Sequence, residues 1–95
     1  MATYLIIYDT KKEATAYHAH DKRITDAIKS ISDVYWNHLD NTYLIVTALS
    51  ASRIKDKLAA HVLNGDKLLV VKVEPGSGSW TGFGDKATSW LSTRA

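Results

Sequence analysis

Asp9 directly follows the apolar and aromatic run Tyr4-Leu5-Ile6-Ile7-Tyr8. A carboxylate at the end of such a run sits at the rim of a sheet, held by the strand and open to a ligand. It could help hold Mg²⁺ or Mn²⁺, which take oxygen donors. One carboxylate makes a poor metal site. Two copies facing each other across a two-fold axis would make a usable one. The competing reading is structural, since Asp commonly caps the loop that follows it through its own backbone.

The histidines are His18, His20, His38 and His61. His18 and His20 alternate, so two rings could point to one side of an extended loop, with Asp21 adding an oxygen. Zinc sites usually bring more ligands in a recognisable frame, and the plain alternative is exposed loop residues. His38 shares a strand face with Trp36 and Asp40. A histidine there could serve as an acid or base, or it could be a half-buried sheet residue bonded to its neighbours. His61 falls at the edge of a helical stripe.

Lys11 and Lys12, with Lys22 and Arg23, flank one loop, and Arg53, Lys55 and Lys57 share one helix. Each cluster alone reads as solvated surface. Brought together by the fold, they would form a modest phosphate-binding face. Net charge is +2, from 12 basic and 10 acidic residues, so charge alone does not single out nucleic acid. Tyr35, Trp36 and Tyr43 lie on adjacent strands, where aromatics stack bases or pack across strands. No phosphate-binding loop, dinucleotide glycine motif or nucleophile elbow occurs. Cysteine is absent, which removes disulfides, thiolate metal sites and a cysteine nucleophile.

The elements that must position these groups follow from periodicity. Thr3 to Tyr8 is rich in β-branched and aromatic residues and reads as a strand. Thr10 to His20 reads as a loop, and Asp21 as the cap of a helix with Ile24, Ala27, Ile28 and Ile31 on one stripe. Tyr35–Leu39 and Tyr43–Thr47 read as a hairpin around Asp40-Asn41, a two-residue turn with positive φ at both positions. Ser50 is a good N-cap for a second helix, with Leu49 and Ile54 at the positions of a hydrophobic staple. Ala51, Ile54, Leu58 and Val62 form its stripe, and Asn64-Gly65 its end. Leu68 to Val73 is the last strand.

The order β-α-β-β-α-β gives an α+β, ferredoxin-like fold: a four-stranded antiparallel sheet with two helices on one face. Residues 1–74 are the domain, 75–79 a hinge and 80–95 a tail with a short helix from Asp85 to Leu91. Trp80, Phe83 and Trp90 are too large and apolar for a disordered tail, so the tail packs on its own sheet or on a dimer partner. With 95 residues, 45% hydrophobic and 23% charged, one globular domain is expected. No basic segment precedes the first apolar run, and no run approaches a membrane span, so a cytoplasmic protein without a membrane partner is expected.

The runs Thr3–Asp9, Trp36–Val46, Asp66–Val73 and Trp80-Thr81-Gly82-Phe83 together resemble the small bacterial proteins described as SinR-like. More distantly, the opening strand ending in Tyr8-Asp9 resembles the Cas-two type of CRISPR adaptation proteins and the VapD toxins. Those families are ferredoxin-like homodimers, some acting as metal-dependent nucleases and some as DNA-holding scaffolds. The resemblance implies a homodimer in which Asp9 is the metal ligand at the dimer axis. Two functions follow as expectations. One is a nucleic-acid-interacting homodimer that acts as a Mg²⁺- or Mn²⁺-dependent nuclease on RNA or DNA, with Lys11, Lys12, Lys22 or Arg23 meeting phosphates. The other is a non-catalytic module binding nucleic acid or a protein partner in a toxin–antitoxin, phage-defence or regulatory setting.

Overall fold

The computed structural model describes residues 1–9, 17–62 and 65–95, with side chains from position 22 onward in the first helix. Along the chain run β1 (Ala2–Asp9), α1 (Tyr17–Ile31), β2 (Val34–Leu39), β3 (Thr42–Thr47), α2 (Ala51–Ala59), β4 (Lys67–Val73) and α3 (Asp85–Arg94). The strands form one antiparallel sheet in the order β2-β3-β1-β4. This is the ferredoxin-like order expected from the sequence. Among the described residues no helix is long and apolar enough to cross a membrane.

Successive side chains of a strand point to opposite faces, and this alternation divides the core in two. Tyr4, Ile6 and Tyr8 of β1 join Tyr43 and Ile45 of β3 beneath α1 and α2. Ile24 and Ile28 come down from α1, and Ile54 and Leu58 from α2. Ile6, Ile28, Ile45, Ile54 and Leu58 have no solvent exposure. Each such side chain contributes about 1.5–3 kcal/mol relative to leaving it in water. Ser50 starts α2 as expected: its hydroxyl accepts the Arg53 N–H at 3.2 Å.

The opposite face carries α3. Trp36 and Leu44 of the sheet are buried with Ala87, Leu91 and Ala95, and Trp80, Phe83 and Trp90 pack around them. The Trp36 indole N–H donates to the Ala87 carbonyl at 3.3 Å. Phe83 meets the indole edge-on, with ring centroids 5.1 Å apart. The Gly76 and Gly78 N–H groups both donate to the Ala95 carbonyl, at 3.0 and 2.8 Å. These two bonds tie the end of α3 to the turn that follows β4.

Helix α3 runs on to Arg94, past the expected end at Leu91. Three further local expectations change. Helix α1 begins at Tyr17, not after Asp21. Tyr17 stands seven residues before Ile24, in register with the apolar stripe, and no Gly or Pro interrupts the segment. The turn at Asp40-Asn41 has positive φ at Asn41 alone, 52°. The β2–β3 register shifts between Trp36 and Leu39, and this irregularity takes up twist that a symmetric turn would otherwise supply. Helix α2 stops at Ala59, so Val62 lies past its end. There the His61 N–H bonds to Leu58 O and the Val62 N–H to Ala59 O, a tighter i→i+3 pattern that closes the helix. Gly65 follows at φ 94°.

Candidate functional site

Antiparallel order brings six element ends to one end of the sheet: β1, β2 and α2 finish there, and α1, β3 and β4 start there. Asp9 is exposed at this rim. In register, Asp9 pairs with Lys67, the first residue of β4. Cross-strand partners point to the same face, so the neighbour across the ladder from this carboxylate is a cation. Both residues line a shallow depression of about 150 Å³, floored by Ile7, Tyr8, Leu68 and Leu69.

The donor set does not fit a metal within one chain. Among the described residues no three His, Asp or Glu side chains gather at metal-binding spacing. Mg²⁺ or Mn²⁺ at Asp9 would need oxygen donors from a second copy, and Lys67 would oppose the ion's charge.

Lys22 and Arg23 are exposed near the start of α1. The Lys22 ammonium is hydrogen-bonded to Asp26 at 2.8 Å, which holds the Asp26 carboxyl below its ordinary pKa and raises that of Lys22. Lys11, Lys12 and Asn64 lie outside the described residues, as do the side chains of His18, His20 and Asp21. His38 is exposed, its ring 5.1 Å from that of Trp36. No hydrogen bond or ion pair joins it to Asp40 among the described residues. Its described contact is with the Trp36 ring, on the face that carries α3.

Base stacking on the sheet is also restricted. Trp36 is buried under α3 and Tyr43 under α1 and α2. Tyr35 remains exposed, with the Lys29 ammonium 5.6 Å from its ring.

Two groups escaped sequence reasoning. Lys67, the first residue of β4, brings positive charge to the Asp9 end, where Lys57 of the helical basic cluster also lies, near the end of α2. Ile7, Leu69 and Val71 remain exposed on the part of the α3 face that α3 does not cover. Neither is legible without the strand order, because each joins residues far apart in sequence.

A comparison with protein-family models returns no match, and neither does a comparison with curated proteins.

Proposed function

We propose that the chain is a homodimeric, non-catalytic module that engages nucleic-acid phosphates, and that it works in the cytoplasm. The observation that supports this reading is the concentration of exposed basic residues at one end of the sheet. Lys22 and Arg23 from α1, Lys57 from α2 and Lys67 from β4 all belong to that end. Such a surface binds backbone phosphate by displacing counterions and carries little base specificity.

Binding is tested by fluorescence anisotropy with single- and double-stranded RNA and DNA at several salt concentrations. The expected result is binding that weakens linearly in log–log form with salt. Charge removal by Arg23→Gln and Lys67→Gln should reduce the slope by about one for each phosphate no longer neutralised. Absence of binding at low salt to every probe would overturn the nucleic-acid reading.

A second reading keeps the nuclease. What favours it is Asp9, an exposed carboxylate at the end of a rigid strand. It requires the Asp9 of a second copy to complete the donor set. The same probes incubated with Mg²⁺, Mn²⁺ or EDTA decide it: metal-dependent cleavage abolished by Asp9→Ala would replace the non-catalytic reading.

A further inference from the structure

Strand β4 is an outer strand of the sheet, and among the described residues its ladder partner is β1. Exposed edge strands are usually protected by charge, proline, a bulge or a covering segment, because their outward N–H and C=O groups pair readily with another strand. Here the protection is thin. Lys67 and Lys72 stand near the two ends, and Leu68-Leu69-Val70-Val71 runs uninterrupted between them. Leu69 is 56% exposed and Val71 43%, beside Ile7 at 39%. Helix α3 reaches Val73 and Leu5, and these three residues lie beyond it.

We propose that β4 pairs antiparallel with β4 of a second copy, about a two-fold axis through Val70, joining two sheets into one of eight strands. This rests on the homodimer reading above and names its interface. The strand is self-complementary in that register. Leu69 falls opposite the partner's Val71, and Val71 opposite the partner's Leu69. Both pairs lie on the face where these side chains are exposed, and Ile7 flanks them on each side. Lys67 falls opposite the partner's Val73 and Lys72 opposite the partner's Leu68, so no charged residue of the strand faces another. Moving the axis to Leu69 or Val71 keeps the faces matched but shortens the ladder and separates the Leu69–Val71 pairs.

The register has a consequence for Asp9. Asp9 lies level with Lys67, and its copy would lie level with the other end of the ladder. Strand rise and spacing then separate the two Asp9 positions by about 25 Å, too far to share a metal ion. The edge-paired dimer and the shared-carboxylate nuclease therefore exclude one another.

Two measurements on the full chain test this. Sedimentation velocity over a concentration series compares wild type with Leu69→Lys combined with Val71→Lys. Both positions are exposed, and circular dichroism verifies that the variant is folded. The expected result is a wild-type dimer whose dissociation constant rises about tenfold or more in the variant, since lysines would oppose lysines across the ladder. A dimer unaffected by the lysines would overturn the edge interface and leave the homodimer reading standing. A monomer at every concentration would overturn both. For the geometry, spin labels attached at Asp9→Cys in a chain with no other cysteine report the separation directly. A distance of about 25–30 Å supports the edge register, and labels within about 10 Å would overturn it.

Discussion

At the scale of single residues, enclosure and exposure decide what each side chain does. Ile54 and Ile45 are fully enclosed between helices and sheet, so Ile54→Ala should lower the unfolding free energy by about 2–5 kcal/mol, read from urea melts. Ser50→Ala removes the acceptor for the Arg53 N–H and should lower it by about 1 kcal/mol. The exposed Lys22–Asp26 pair should matter far less. Its pH dependence has a defined sign. Asp26 has a depressed folded pKa, so its contribution is complete above the ordinary Asp range and disappears as pH falls through the lowered value. Lys22 has a raised pKa, so its contribution persists until pH climbs past the ordinary lysine value of 10.5. Melts of wild type and Asp26→Asn should therefore differ slightly near neutral pH and converge only as pH falls through the lowered Asp26 value.

At the scale of elements, α3 is the part whose placement has most effect on what remains accessible. It buries Trp36 and Leu44 and leaves Ile7, Leu69 and Val71 facing water. Besides its buried packing, the end of α3 makes one close approach. A Cβ on Gly78 would stand 3.0 Å from the Ala95 carbonyl oxygen, so that backbone would have to give by a few tenths of an ångström. Gly78→Ala should thus loosen the end of α3, seen as faster amide exchange in residues 85–95 and a red shift in Trp36 emission. Gly84 serves as the control, because no described atom lies within 4 Å of the corresponding Cβ position. It is the N-cap of α3 with no side-chain cap, so Gly84→Ser should leave stability unchanged or raise it by a few tenths of a kcal/mol.

At the scale of the whole molecule, the two faces and two edges of the sheet have different fates. One face is closed by α1 and α2 and the other is half closed by α3, with β4 an outer edge. A protein with this surface should self-associate in a way that weakens little with salt, because the exposed row on β4 is apolar. Nucleic-acid binding through the basic end should weaken steeply with the same salt. Measuring both equilibria across one salt series separates the two surfaces.

The sequence alone determined the element order and most of the buried positions. Period-2 and period-3.6 patterns are local, so the Ile24/Ile28 and Ile54/Leu58 stripes and the Ser50 cap could be read without any knowledge of the fold. Element ends were less legible. The start of α1, the φ pattern at Asp40-Asn41 and the end of α2 depend on small differences between competing local geometries. Asp9 was legible as the residue closing a strand, but its environment was not. Its facing residue, Lys67, lies far along the chain, and the two become neighbours only through the β1–β4 register. The same holds for the apolar row of Ile7, Leu69 and Val71, which looks like ordinary strand core in the sequence. Only the tertiary structure decided that α3 covers the Trp36 half of that face and stops short of the β4 edge. Hydrophobic periodicity reports that a residue has an apolar side to bury, and chain topology decides whether anything is there to bury it.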